Sequence, residues 1–491
     1  MSAVLSIAAS VSCFGARPSK GGGQISRHDA AEAARRTPSP YDVEVPPGYR
    51  VELVADQLTF PTGVAFGDGN EIYVVESGYS YGEKIGRPRI LRIGGDGKPV
   101  ELATGDGAPW NGIAYQGGAL YVARGGELEG GSIVRYPVRG VVLGEPQVLV
   151  ANLPSTGDHH TNGPVVSRDG WVYFGVGSAT NSAVVGTDNA EFGWLARNPK
   201  FHDVPCADIK LTGTSFKSKN PLTPGDDEVT TGPYLPFGTP ATPGQVIQGR
   251  VPCSGAVMRV RTTGGDVELV AWGFRNPFGL ALDAQGSLYV TDNGYDVRGS
   301  RPVFGSADML WRVERGQWYG WPDYSEGRPL TAKFYDEGGG APHGFMLAEH
   351  PGTPPEPAVY FAAHSSSDGF DFSRSAAFGH VGSAFVAQFG DMAPGAGKVL
   401  APVGFAVVKV NPADGDIEYF ARNRQDKTGP ASERETRGFE RPIAARFDRD
   451  GKALYVVDFG ILRMTDKGPQ PMPGTGALWR IVREEVRHAA R

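Results

Sequence analysis

Gly63-Val64-Ala65-Phe66, followed by Ile72-Tyr73-Val74-Val75, is the stretch on which the fold turns. A glycine leads an apolar strand, Asp68-Gly69 supplies a turn in which Gly adopts positive φ, and a second strand ends in a valine pair, the pattern of a β-hairpin. The cassette returns as Gly112-Ile113-Ala114-Tyr115 with Leu120-Tyr121-Val122, as Gly163-Pro164-Val165-Val166 with Trp171-Val172-Tyr173-Phe174, and as Gly279-Leu280-Ala281-Leu282 with Leu288-Tyr289-Val290. Two further copies are Gly369-Phe370-Asp371-Phe372 with Ala384-Phe385-Val386, and Ile443-Ala444-Ala445-Arg446-Phe447 with Leu454-Tyr455-Val456. After each comes a short strand pairing apolar with basic residues: Ile90-Leu91-Arg92-Ile93, Ile133-Val134-Arg135-Tyr136, Val257-Met258-Arg259-Val260, Leu310-Trp311-Arg312-Val313, Val407-Val408-Lys409-Val410 and Leu478-Trp479-Arg480-Ile481. A fourth β-rich run follows most of them, as in Pro99-Val100-Glu101-Leu102. One such sheet cannot bury both faces alone, whereas six stacked radially bury every face against a neighbour. The pattern predicts an all-β, six-bladed β-propeller; a β-sandwich explains the strands but not six matched units.

The repeat is regular until Gly163, and the next glycine lead comes only at Gly279, so the third blade carries a long insertion, placed at about 184–250. It is polar and rich in Pro and Gly, and is expected to lie over a propeller face, either as a lid or as a pinned loop. Val204-Pro205-Cys206 and Val251-Pro252-Cys253 share a pattern and are expected to pair as a disulfide in an oxidising compartment, with two buried thiols as the alternative. The domain reading is a leader at 1–44, export-signal-like at Met1 to Ala16 and flexible beyond it, then the propeller over 45–483, then a tail at 484–491. Periplasmic or secreted placement follows from that start, although it lacks a basic n-region.

The chain has 491 residues and a formal charge of −6 with no Lys/Arg block, so no patch offers the counterion-release drive of nucleic-acid binding. No apolar run reaches the length needed to span a bilayer as a helix. The three cysteines form no C-x-x-C, and a resident metal is therefore expected on oxygen ligands.

Polar clusters at equivalent points of different units are where a propeller builds an axial site. Asp158-His159-His160-Thr161-Asn162-Gly163 precedes the third inner strand, and imidazole suits proton abstraction near neutrality; since neighbouring side chains face opposite ways, one histidine is a candidate base while the other packs. Arg275-Asn276-Pro277 precedes the fourth, with a guanidinium able to hold a carboxylate or carbonyl ligand, or to close the blade structurally. Asp292-Asn293-Gly294-Tyr295-Asp296 offers oxygen atoms for a hard cation such as calcium, or an Asx-turn.

In this order and on this repeat, the clusters resemble the soluble glucose/sorbosone dehydrogenase family of six-bladed propellers that use pyrroloquinoline quinone and calcium. The likeness spans roughly residues 45 to 483, and its most specific run is Gly273-Phe274-Arg275-Asn276-Pro277-Phe278-Gly279-Leu280, Leu288-Tyr289-Val290-Thr291-Asp292-Asn293-Gly294 and Tyr319-Gly320-Trp321-Pro322. The resemblance implies His160 as general base, Arg275 and Asn276 as quinone contacts, and the main-chain carbonyls of Gly294 and Tyr295 as calcium ligands. It also nominates Arg441, in Glu440-Arg441-Pro442, and Lys398 for the cofactor. The sequence departs from the family pattern at His159, where the sugar oxidases carry Asp, at Ser178 and Ala179, at Tyr295 and at Phe439.

The implied activity is oxidation of a sugar or related alcohol or aldehyde, with hydride passing to the quinone and a separate electron acceptor reoxidising it. A calcium-dependent lactonase-like hydrolase and a non-catalytic propeller that binds a glycan or a protein are the alternatives. Oligomeric state is not legible.

Overall fold

The structure is a computed structural model that describes residues 36–484 apart from 81–82, 85, 127–128, 192, 337–342, 393–400 and 466–467. Six antiparallel sheets follow one another around an axis. Blade 1 is Pro61–Phe66, Ile72–Glu76, Arg89–Ile93 and Pro99–Thr104, and blade 2 is Trp110–Gln116, Ala119–Gly125, Gly131–Arg139 and Gln147–Leu153. Blade 3 is Thr161–Val166, Trp171–Val176, Ala256–Arg261 and Glu268–Trp272. Blade 4 is Pro277–Leu282, Leu288–Asp292, Ala307–Arg312 and Val359–Ala363. Blade 5 is Ser367–Phe372, Ala384–Gln388, Ala406–Val410 and Ile417–Asn423, to which Val43–Glu44 adds a fifth strand. Blade 6 takes Pro442–Phe447, Ala453–Asp458 and Gly476–Arg483 from the end of the chain and its outer strand, Tyr49–Leu58, from the beginning. The inner strands touch in ring order, and the sixth meets the first.

The period-2 alternation explains the stacking. On Ile72–Glu76, Tyr73 and Val75 face the cluster shared with blade 2, around Trp110 and Leu120, while Val74 faces the cluster shared with blade 6, around Tyr455 and Leu478. Each fully buried side chain of this kind contributes about 1.5–3 kcal/mol, so the inter-blade faces are the core. The glycine leads have a steric reason: a β-carbon on Gly112 would run into the carbonyl oxygen of Gly163, and one on Gly279 into that of Asp368. Only glycine lets neighbouring inner strands come this close around the axis.

Two features differ from expectation at the ends of the propeller. Residues 36–44, expected within the flexible leader, are built into blades 5 and 6, because Arg36 is buried against two carboxylates: its Nη2 lies 2.6 Å from Asp458 and its Nε 3.8 Å from Glu440. The third-blade excursion runs from Val176 to Ala256 and contains short elements, among them Thr187–Glu191, Trp194–Arg197 and the hairpin Phe216–Lys219 with Glu228–Thr231. It is fastened by the Cys206–Cys253 disulfide and by Asp203, which accepts from the Ala179 N–H and the Thr180 hydroxyl, both at 2.6 Å. It also pairs with the fourth-blade excursion, through Ala348 N to Lys210 O at 2.7 Å. Among the described residues no helix is long and apolar enough to cross a membrane.

Candidate active site

In every blade the start of the inner strand pairs with the end of the second strand: Thr161 with Val176, Pro277 with Asp292, Ser367 with Gln388, Pro442 with Asp458. Residues just before an inner strand and just after a second strand therefore emerge on one rim of the ring. His160, Arg275, Asn276, Gly294, Tyr295 and Arg441 all occupy such positions, so the sequence-predicted residues share a single face of the propeller.

Blade 4 builds the most polar part of this rim. Asp292 closes the second strand, and its carboxylate accepts from the backbone N–H of Arg275 at 3.1 Å and of Asn276 at 2.7 Å. This holds the Arg-Asn pair at the strand mouth, while Pro277 starts the strand. Burial pushes the Asp292 carboxyl up to about 7 despite those donors. The Arg275 side chain turns along the rim: Nε donates to the carbonyl and side-chain oxygens of Asn181, at 3.2 and 3.1 Å, and Nη2 pairs with Asp296 at 2.7 Å. Asn181 lies at the start of the third-blade excursion, which thus forms part of the site wall.

The two candidate calcium-ligating carbonyls have their directions set by the peptides that follow them. Tyr295 N donates to Ser306 Oγ and Asp296 N to Asn181 Oδ1, each at 2.9 Å. In a trans peptide the C=O points opposite to the N–H, so the Gly294 carbonyl is turned away from Ser306 and the Tyr295 carbonyl away from Asn181. Gly294 N is itself anchored on Asp308 at 2.9 Å. A β-carbon at Gly294 would strike Ala307 O, so glycine is needed for the chain to pass here. Among the described residues no group of three or more His, Cys, Asp or Glu side chains is placed to hold a metal.

The two histidines divide as side chains of opposite orientation do. His159 is buried, with Nδ1 2.8 Å from the Ser178 carbonyl, which requires Nδ1 to be the protonated nitrogen. Burial, then Arg275 and Arg298, hold this imidazole well below its ordinary pKa, and it stays neutral. The His160 ring stands edge-on to Tyr79 with centroids 5.2 Å apart, and a β-carbon on Gly126 would lie 2.7 Å from its Cδ2. Glycine at 126 thus makes room for the imidazole.

A charged network that sequence reasoning missed joins these elements. Arg298 reaches Asp158 and Asp188 at 2.8 Å and Asp296 at 3.0 Å. Removal from water pushes Asp158 up to about 6 against the pull of Arg298, whereas Arg275 and Arg298 outweigh desolvation at Asp296 and hold it far below the usual carboxylate range. His364, just before the fifth inner strand, places Nδ1 3.8 Å from Asp296, and its Nε2 is buried without a hydrogen-bond partner among the described residues. Nothing in the sequence around His364 marks it, since it stands outside the repeated cassette.

Arg441 is on the rim but its guanidinium turns into the wall between blades 5 and 6. It is 2% exposed, lies 5.0 Å from the ring centroids of both Phe389 and Phe405, and donates to the carbonyls of Phe389, Gly390, Asp391 and Leu462. Lys398 falls outside the described residues.

Comparison with known proteins bears on the same region. No curated protein matches the chain by sequence. Among solved structures, the holo form of the pyranose dehydrogenase PQQ domain from Coprinopsis cinerea is 14% identical, with 91% of this chain and 98% of that chain covered and a TM-score of 0.57. The calcium structure of a Trichoderma reesei enzyme of Carbohydrate-Active Enzymes Family AA12 is 16% identical over 91% and 98%, with a TM-score of 0.53. The PQQ-bound aldose sugar dehydrogenase from Streptomyces coelicolor is 16% identical over 89% and 99%, with a TM-score of 0.50. At these identities the likeness is one of fold, and it agrees with the six-bladed ring. Residues 247–391 match the family described as Glucose / Sorbosone dehydrogenase, so the resemblance read from the Arg-Asn-Pro and Asp-Asn-Gly runs holds over the segment that carries Arg275, Asn276, Gly294 and Tyr295.

Proposed function

We propose that the protein is a quinone-dependent oxidoreductase that oxidises a sugar or a related alcohol or aldehyde, using pyrroloquinoline quinone and calcium. The observation that carries this is the blade 4 rim, where a guanidinium, an amide and two directed carbonyls are gathered within the segment that matches the dehydrogenase family. The donor set suits both groups: Arg275 and Asn276 are the partners a planar polycarboxylate quinone requires, and main-chain oxygens are what a hard cation takes. The unsatisfied Nε2 of His364 on the same rim is a further polar group awaiting a ligand.

When bound, the quinone supplies a two-electron acceptor and calcium the charge that makes it electrophilic. The protein's part is to orient and to move a proton. Arg275, aimed by Asn181 and Asp296, and Asn276 hold the cofactor edge. His160 takes the hydroxyl proton of the substrate as its carbon gives up hydride. The excursion that contributes Asn181 and Asp188 shields the rim from water. Arg441 acts on the wall that supports the rim, and an electron acceptor separate from this chain completes turnover.

Titration of the protein with pyrroloquinoline quinone, followed by absorbance with and without calcium, tests the assignment directly. Calcium-dependent saturation at micromolar quinone is expected, with dye-linked oxidation of at least one aldose that falls at least about 100-fold in His160→Ala while quinone still binds. No saturation, together with hydrolysis of a lactone, would replace this reading by the calcium-dependent hydrolase.

A further inference from the structure

A row of side-chain amides crosses the rim from blade 2 to blade 5. Asn111 Nδ2 donates to Asn162 Oδ1 at 3.2 Å, Asn162 Nδ2 to Asn276 Oδ1 at 2.9 Å, Asn276 Nδ2 to Asn293 Oδ1 at 2.8 Å, and Asn293 Nδ2 to Asp368 Oδ1 at 3.4 Å. Every amide donates in the same direction around the axis. An amide group can be turned over with little change in shape, so the direction has to be argued from partners that cannot change roles. Two such partners are present, both main-chain carbonyls that only accept. Asn293 Nδ2 lies 3.2 Å from Ser367 O, and Asn162 Nδ2 lies 3.4 Å from Pro277 O. The first fixes Asn293 with Oδ1 towards Asn276. The second independently fixes Asn162 with Nδ2 towards Asn276. Asn276 stands between them and has one orientation that satisfies both.

We propose that Asn162 and Asn293 are positioning residues, which lock the amide of Asn276 with its carbonyl towards blade 3 and its N–H towards blade 5. Resting on the function proposed above, this makes the pair determinants of quinone recognition, although Asn276 alone is the nominated contact. The lock joins three blades, so a cofactor contact in blade 4 depends on the register of blades 3 and 5. It also gives a reason for the third inner strand to carry Asn162 at a position where 1% of the residue is exposed and a plain apolar side chain would pack.

Isosteric Asn→Asp changes reverse the donors without changing volume. In Asn162→Asp an oxygen faces the Pro277 carbonyl and Asn276 Oδ1, and no proton is available for any of the three. Two measurements are made on the whole protein, the dissociation constant of pyrroloquinoline quinone with calcium and the thermal midpoint of the cofactor-free form. Asn162→Asp and Asn293→Asp are each expected to weaken quinone binding at least tenfold, with Asn111→Asp, at the free end of the row, changing it less than threefold. In the cofactor-free protein, Asn162→Asp and Asn276→Asp are expected to be non-additive in thermal midpoint, because they meet at one contact: the first removes its donor, the second makes its acceptor a carboxylate, and together they set two carboxylates face to face. Unchanged quinone affinity in Asn162→Asp, or additive midpoints with Asn276→Asp, would overturn the lock. Wild-type protein that binds no quinone would instead remove the function, and the lock would still be judged by the cofactor-free cycle.

Discussion

Blades 4 and 6 carry the same fastening and use it for different ends. In both, an aspartate closes the second strand and accepts the two N–H groups that precede the inner-strand proline: Asp292 from Arg275 and Asn276, Asp458 from Glu440 at 3.0 Å and Arg441 at 2.9 Å. Glu440 thus stands at the repeat position of Arg275, and Arg441 at that of Asn276. Blade 4 directs its arginine along the rim to side chains that also face the site. Blade 6 sends its arginine between two phenylalanine rings and satisfies it with main-chain carbonyls, while its glutamate is buried beside Arg36 from the opposite end of the chain. A shared backbone device therefore says where a side chain starts and not what it does. Its neighbours decide that.

Exchanging losses between the two arginines gives the sharpest break of the comparison. Arg441→Leu leaves four carbonyls that the guanidinium now serves without a donor, and hydrogen bonds to a charged group are worth about 1.5–3 kcal/mol each. A loss of at least about 3 kcal/mol in denaturant-derived stability is expected, with quinone affinity in the surviving folded fraction changed less than tenfold. Arg275→Leu is expected to reverse the pattern, costing the larger share in binding. Equal effects of both on binding would return Arg441 to the cofactor.

The ring itself was legible because each blade must repeat the same alternation, and five of the six repeat the same glycine at the point of closest approach, and both features are local. What stayed hidden depends on partners far apart in sequence. Tyr49–Leu58 has no glycine lead and becomes a strand of blade 6 only by pairing with Gly476–Arg483. Arg36 reads as part of a polar leader until Asp458 and Glu440 are brought to it. Val359–Ala363 completes blade 4 behind a long excursion from Arg312. In the site, Arg275 and Asn276 were legible since Pro277 and Asp292 bracket them within one hairpin. His364, Arg298 and the direction of the amides were not, for their roles arise between blades.

A pH measurement separates the two blades further. Burial, against the pull of Arg36, raises the Glu440 carboxyl to about 7 from 4.5, and Glu440 is 2% exposed. A carboxyl whose folded pKa is raised keeps its proton in the folded state while the unfolded chain loses it, so stability falls as pH rises from the unfolded value to the folded one. Between pH 4.5 and about 7 this group alone is expected to remove about 3 kcal/mol, and the loss is complete above that window. Glu440→Gln keeps the shape and the Ser432 contacts but cannot titrate. The difference between variant and wild-type stability should grow across that window and level off beyond it; a flat difference would mean that Arg36 keeps Glu440 ionised throughout.

The smallest effect tests whether the blade 4 rim is adjustable where blade 6 is fixed. Arg298 is 31% exposed on its side chain and serves three carboxylates, so loss of one leaves two. Asp188→Asn removes a negative charge that, after burial and against Arg298, helps raise the Asp158 carboxyl. Stability should change by less than about 1 kcal/mol, as expected for a partly exposed pair. The Asp158 carboxyl, raised to about 6 in the unaltered protein, should titrate at lower pH in the variant, read by carboxyl carbon chemical shifts. Because Asp296 shares Arg298, the pairing of Arg275 is relieved of competition only if Arg298 stays in place, and an unchanged Asp158 titration would mean that it had moved to take up the slack. The rim would then be adjustable through Arg298, which can shift among its carboxylates, in contrast to the fixed clamp around Arg441.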